Sequence, residues 1–150
     1  MAETELAELD VRLGHTFRDA DLLVRALTHP SYAHEHPPAA HNEALAFLGD
    51  AVLGLVVAEI LAARAPQDGA GPLTQRRAAF VSAPSLALWA GRLELPAHLR
   101  LGRGEEQGGG RGKESILATA LEAVLAALYL DAGLDPVRKL VIRLIDAPSS

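Results

Sequence analysis

Asn42-Glu43-Ala44-Leu45-Ala46-Phe47-Leu48-Gly49-Asp50-Ala51-Val52-Leu53 sets one aspartate, Asp50, into an otherwise apolar run. An ionised side chain among aliphatic residues is costly unless something pairs with it. A second stretch, Ser115-Ile116-Leu117-Ala118-Thr119-Ala120-Leu121-Glu122-Ala123-Val124-Leu125, carries Glu122 in the same way. Leu and Ala, both strong helix formers, dominate the two stretches. The expectation is a pair of long apolar helices, each presenting a lone acid. Two such acids suggest a shared metal ion.

Working outward, Leu6 to Leu13 has helical spacing and ends at Gly14, a C-cap residue. Asp19-Ala20-Asp21 opens a short helix, Leu22 to Thr28, with its acids at the positive end. His29-Pro30 should stop that helix, His29 ordering the turn, and Pro37-Pro38 should keep the following stretch non-helical. Asn42 is a candidate cap for a helix running to about Ala65, where Pro66 ends it. Gly69 to Pro72 reads as a turn, and Leu73 to Gly91 as a helix kinked or broken at Pro84. Leu93 to Leu101 reads as a short helix opened around Pro96. Gly102 to Gly112, with glycines at 102, 104, 108, 109, 110 and 112, should be a mobile loop. The second long helix spans Ser115 to Asp131, and Asp135 caps a last one, Pro136 to Ile145. No strand-like alternation and no internal repeat appears, so the fold class is an all-α bundle.

The chain has 150 residues, 49% hydrophobic and only 4% aromatic. That length fits one domain (1–150, core about 6–146) with a core of Leu, Ala and Val. With no cysteine, disulfides, thiolate metal sites and a thiol nucleophile are excluded. A net charge of −5 excludes a protein that holds nucleic acid by bulk electrostatics, so any RNA contact must use local basic patches or metal ions. The acidic start, Met1-Ala2-Glu3-Thr4-Glu5, is unlike a signal or transit peptide. The longest apolar stretch, Ala51 to Ala63, is interrupted by Glu59 and short for a bilayer span. The expectation is a soluble, cytoplasmic protein with no membrane association.

On a helix, Glu43, Ala46 or Phe47, and Asp50 fall on one face, and Thr119 and Glu122 lie one turn apart. If the two helices pack, Asp50 and Glu122 can converge on a hard divalent ion. Mg²⁺ suits such a site, because it keeps several waters and often binds through one or two carboxylates plus a phosphate. By spacing alone, an ordinary structural role for these acids, in a cap, an ion pair or an exposed polar stripe, stands slightly ahead of a catalytic one.

The run from Phe17 to Gly133 resembles a ribonuclease III nuclease domain. The resemblance rests on Leu27-Thr28-His29-Pro30-Ser31-Tyr32, on Asn42-Glu43 leading to Phe47-Leu48-Gly49-Asp50-Ala51-Val52-Leu53, and on the Gly-rich loop. It continues through Lys113-Glu114-Ser115-Ile116-Leu117-Ala118, Glu122-Ala123 and Leu128-Tyr129-Leu130-Asp131-Ala132-Gly133. The usual nuclease domain carries a Glu and an Asp on each of its two signature helices. Here Ala46 and Thr119 stand at two of those positions, and Asp50 and Glu122 remain. This two-acid pattern is similar to the Mini-ribonuclease III branch, whose members lack a double-stranded-RNA-binding domain. No such domain is expected in this chain either.

The resemblance implies the ribonuclease III endonuclease-domain helical bundle. It also implies a metal-dependent endoribonuclease acting on double-stranded regions of structured RNA, with ribosomal RNA precursors as the target by analogy with the Mini branch. Asp50 and Glu122 would be the catalytic and metal-binding residues, Mg²⁺ the ion and Mn²⁺ a substitute. Glu43 and Thr119 would support the site or touch substrate. The unit would be a homodimer, each site cutting one strand to leave a short 3′ overhang. Phe47 is then a candidate interface anchor, while by spacing alone it is equally an ordinary core residue. The alternative is a catalytically silent member that binds RNA or ribosomes.

Without an appended binding domain the nuclease domain must grip the duplex itself. Arg100, Arg103, Arg111 and Lys113 against Glu105 and Glu106 give the 100–113 segment a net charge of +2, and its glycines let backbone approach phosphate. Arg76 and Arg77 form a second basic pair. His34-Glu35-His36 reads as exposed loop rather than a metal site.

Overall fold

The computed structural model describes residues 1–148, so the last two residues of the expected 1–150 domain lie outside the described residues. Nine α-helices are described: α1 Glu3–Leu13, α2 Ala20–Ala26, α3 Pro30–Glu35, α4 Glu43–Arg64, α5 Ala70–Phe80, α6 Ala83–Arg92, α7 Arg103–Gln107, α8 Glu114–Ala132 and α9 Leu134–Asp146. Among the described residues there is no strand, only an isolated parallel bridge between Thr28 and Arg100. The all-α expectation holds.

α8 is the axis of the molecule. Its residues from Ile116 to Leu128 are buried almost all round, as expected of a helix apolar on every face. It packs most extensively on α4, then on α6, α2 and α9. α4 turns the stripe Leu45, Gly49, Val52, Val56 and Ile60 inward, with Leu53, Val57 and Leu61 beside it. Both helices are long and apolar enough to cross a membrane by length and composition, contrary to the expectation that the chain's apolar runs are too short. Here α8 is mostly buried in the bundle, while α4 packs one apolar face against it and is less than half buried. Asp131, at the end of α8, ties down the N-terminal segment by accepting from the backbone of Arg18 and Asp19 and pairing with His15 at 2.6 Å. Burial alone would raise this carboxyl, yet His15 and the two backbone donors hold it below the ordinary value.

Several local expectations change. Pro30 opens a helix instead of only ending one. It sits at the start of α3, where a missing N–H costs nothing, and His29 caps that helix by accepting from the Ser31 N–H. Asn42 is helical in backbone and caps nothing with its side chain, which instead donates to the Ala26 carbonyl. Gly69 is only the N-cap of α5, which takes in the expected turn as its first residues. Of the kink or break expected within 73–91 the structure shows the break, because Ser82 accepts from the Ser85 N–H and restarts the chain with Pro84 in the first turn. Leu95–His98 is a 3₁₀ turn, not a full helix. Asp135 caps nothing; Gly133 precedes α9 and Asp135 pairs with Arg138.

The Gly-rich segment also departs from expectation, since it holds α7 and a 3₁₀ turn, Gly110–Gly112. Gly102 is there for close approach: its N–H donates to Ser31 Oγ at 2.8 Å, and a Cβ would overlap the backbone and side chain of α3. Glu35 accepts from the Arg103 N–H, and Arg111 donates to the carbonyls of Pro96 and Leu99, both at 2.8 Å. These bonds fasten the segment at both ends.

Candidate active site

α4 and α8 cross where Gly49 meets Glu122. A Cβ at Gly49 would lie inside the carbonyl of Glu122, so only glycine allows this separation. The close crossing brings the neighbouring side chains together. Asp50 is exposed, not buried as its apolar neighbours suggest, because it leaves α4 beside the α8 crossing. Glu122 is half-buried and within hydrogen-bonding reach of Asp50. Burial first, then the Asp50 hydrogen bond and charge, push the Glu122 carboxyl up to about 7.

The two lone acids of the sequence therefore meet. Glu43 does not join them. Seven residues along a helix amount to about 10.5 Å, so it shares the face of Asp50 without sharing its site. It opens instead, with Thr119, into a cleft of about 180 Å³ that His29, Asn42 and Ser115 also line. Ala46 is buried and supplies no ligand. Among the described residues, no group of three His, Asp or Glu side chains could hold a metal unaided.

Phe47 is 84% exposed, which removes the reading of it as a core residue. With Ala44, Ala51 and Leu55 it forms an outward apolar stripe on α4, opposite the buried one. α4 thus has two apolar faces, only one of them covered among the described residues.

The basic residues divide by what they touch. Arg111 is held by Glu106 and by the two backbone carbonyls, and Lys113 pairs with Glu105 at 2.6 Å. Arg100 stacks its guanidinium 4.2 Å from the Tyr32 ring centroid. Arg76 pairs with Asp68 at 3.1 Å. Arg103 and Arg77 are exposed, and neither forms an ion pair among the described residues. Within the 100–113 segment Glu106 and Glu105 neutralise Arg111 and Lys113, so its net +2 rests on Arg100, stacked on Tyr32, and on exposed Arg103.

Sequence reasoning missed His29, Asn42 and Ser115 as one group. Their spacing in the chain carries no helical period, and only the packing of α4 on α8 brings them together.

Comparison with known proteins agrees with this architecture. A family model described as Ribonuclease-III-like matches residues 19–148. Ribonuclease 3 of Streptomyces coelicolor is 54% identical over 138 residues, covering 92% of this chain and 50% of that protein. Ribonuclease 3 of Heliobacterium modesticaldum is 51% identical over 140 residues, covering 92% and 60%. The chain thus spans little more than half the length of these curated relatives. The crystal structure of the nuclease domain of ribonuclease III from Campylobacter jejuni superposes with a TM-score of 0.88 at 39% identity, covering 100% of this chain and 99% of that one. A second structure of that nuclease domain, which concerns flexibility in a region involved in dimer formation, gives a TM-score of 0.86 at 41% identity over 93% of this chain and 94% of that one. With most of its length matched by the family model and by relatives at this identity, the chain belongs to the ribonuclease III family.

Proposed function

We propose that this domain is a divalent-metal-dependent endoribonuclease that cuts double-stranded regions of structured RNA as a homodimer. The observation that carries this reading is the forced proximity of Asp50 and Glu122, two like-charged groups on helices locked together at Gly49. Such a pair gains from a cation, and an oxygen-only donor set suits a hard one. Asp50 and Glu122 would hold Mg²⁺, with Mn²⁺ as the substitute. When bound, the ion would supply charge stabilisation at the reacting phosphate and activation of water. Two carboxylates leave most of its coordination to water and to the RNA phosphate, so affinity for the ion is low until RNA arrives.

The protein's own groups do the rest. Asp50, exposed, faces the approaching backbone. Glu122, whose carboxyl stands near 7 without a cation, gives up its proton close to neutral pH and so becomes able to hold the ion there. The outward stripe around Phe47 begins one turn from Asp50 and supports pairing of two copies with the sites near the joint. Arg77 and Arg103 are the cations best placed to meet phosphate, since the others are engaged within the fold. Recognition would then be by duplex shape and backbone contacts.

Within the family, we read the two-acid pattern with Ala46 and Thr119 as that of the Mini branch. Maturation of a ribosomal RNA precursor in the cytoplasm is the role that follows. The relatives compared above bear the name Ribonuclease 3, so this finer reading rests on the acid pattern alone.

The test is incubation of the protein with a long RNA duplex and Mg²⁺ beside Asp50→Asn and Glu122→Gln. Cleavage by the wild type that is lost in both variants supports the nuclease. Intact duplexes that are nevertheless bound would replace it with the silent RNA-binding reading, in which Ala46 and Thr119 mark a lost activity.

A further inference from the structure

The cleft beside the acid pair has a composition that the reaction as described does not use. It lies between the N-terminal turns of α4 and α8. Asn42 lines it, is 2% exposed, and its Oδ1 has no hydrogen-bond partner among the described residues. The orientation of that amide is fixed, because Nδ2 donates to Ala26 O at 3.0 Å. A buried carbonyl oxygen without a partner is costly, so Oδ1 calls for a donor from outside.

The other walls narrow the chemistry. Glu43 offers a carboxylate, and Ser115 and Thr119 offer hydroxyls. His29 Nδ1 accepts the Ser31 N–H at 3.0 Å, which leaves the ring proton of the neutral imidazole on Nε2. A phosphate satisfies neither acceptor, since it has no proton to give Asn42 and is repelled by Glu43. No Phe, Tyr or Trp lines the cleft, and its one ring, His29, is tied at Nδ1 to Ser31. What fits is a small group that both donates and accepts, and on an RNA backbone that group is the ribose 2′-hydroxyl. Thr119 stands on the face of α8 that carries Glu122, three residues or about 4.5 Å along the axis, so the cleft sits beside the acid pair.

We infer that this cleft is a ribose subsite, in which Asn42 Oδ1 accepts the one proton of the 2′-hydroxyl of a nucleotide next to the scissile phosphate, Ser115 and Thr119 donate to the hydroxyl oxygen, and the Glu43 carboxylate keeps phosphate out. The inference rests on the nuclease reading and adds a determinant for RNA over DNA. Asn42 and Glu43 act here as specificity residues.

The experiment places single 2′-deoxy and 2′-fluoro nucleotides along one strand of a duplex that the wild type cuts, and reads kcat/KM at each position. One position flanking the cut should lose about tenfold, the cost of leaving a buried acceptor, Asn42 Oδ1, unpaired. The 2′-fluoro nucleotide should be no rescue, because fluorine donates no proton. Glu43→Gln combined with Ser115→Ala, both exposed positions where folding is not at stake, should shrink that penalty to about threefold or less. A flat profile on a duplex that is cut overturns the ribose subsite while leaving the nuclease intact. A penalty unchanged in the double variant also overturns it, since the hydroxyl is then read elsewhere. If the all-ribose duplex is never cut, the nuclease reading fails and the subsite falls with it.

Discussion

Gly49 of α4 presses against the backbone of Glu122 so closely that a single added methyl group would overlap the Glu122 carbonyl. The contact is backbone to backbone and no rotamer change can relieve it. Gly49→Ala should therefore separate the two central helices and cost about 3 kcal/mol or more, the upper range for overpacking a core. Thermal unfolding measures the loss. A variant as stable as the wild type would mean that the helices do not cross at this separation.

The acid pair makes stability depend on pH in a direction opposite to that of most carboxylates. The Glu122 carboxyl is raised from 4.5 to about 7 by burial and by Asp50. A carboxyl raised on folding favours the protonated folded state, so its stabilising contribution is full below about 4.5 and is lost as pH rises through about 7. The metal-free protein should accordingly lose melting temperature between pH 5 and 8 (values chosen to bracket the titration). Glu122→Gln should flatten that decline and equal or exceed the wild type in stability at the upper end. Cleavage should run the other way, rising with pH to a plateau above about 7 as Glu122 becomes free to bind a cation. Glu122→Gln and Asp50→Asn should each lower kcat by at least about a hundredfold. Melting curves and pH–rate profiles on the same preparations check both halves.

Much of this arrangement was legible in the chain. Apolar periodicity and Leu/Ala content gave α4 and α8 to within a residue or two, and the i+3, i+4 rule paired Thr119 with Glu122 on one face. What escaped was non-local. Nothing in the sequence around Asn42 shows that Ala26 takes its side-chain amide, so its role as a cap was the natural local expectation. The glycines of 102–112 suggest freedom, yet Ser31 and Glu35 of α3 and the reach of Arg111 to Pro96 and Leu99 hold the segment down. Asp50 is exposed because helices that meet at a glycine leave the next residue at the rim of the contact.

The two faces of α4 predict an oligomer. Phe47 is far too exposed to contribute to its own core, and the stripe it belongs to has no cover among the described residues. Phe47→Ala should weaken self-association by at least about thirtyfold, as for a central aromatic anchor. Helix content and melting of the monomer should be untouched. Sedimentation velocity across a dilution series, with circular dichroism as control, decides the matter. A wild type that is monomeric at every concentration would remove the dimer from the proposed function.

Arg111 and Arg103 separate structure from binding. Arg111 is bonded to Glu106 and to two carbonyls, so Arg111→Ala should cost about 2 kcal/mol in stability, the scale of charge-assisted hydrogen bonds. Arg103→Ala should leave melting unchanged and weaken duplex binding, with the slope of log affinity against log salt falling by about one phosphate contact. Denaturant titration and salt-dependent binding of the pair give the comparison. Equal effects of both on binding alone would show that Arg111 is released from its partners when RNA is bound.

Ala46 and Thr119 set the final expectation, since they fix how many carboxylates the site offers. Thr119 is partly exposed and on the face of Glu122, so an acid there can be accommodated, while Ala46 is buried and a longer side chain would strain the helix contact. Thr119→Asp is therefore the informative single change. A third carboxylate beside Asp50 and Glu122 raises the ligand charge, and metal affinity in the absence of RNA should rise by about tenfold or more. The same added charge should push the Glu122 carboxyl above its present value of about 7 when no cation is bound. Calorimetric titration with Mn²⁺ reads the first effect and the pH dependence of melting the second. Affinity unchanged in Thr119→Asp would mean that residue 119 does not face the ion, and that the metal site is completed from another direction.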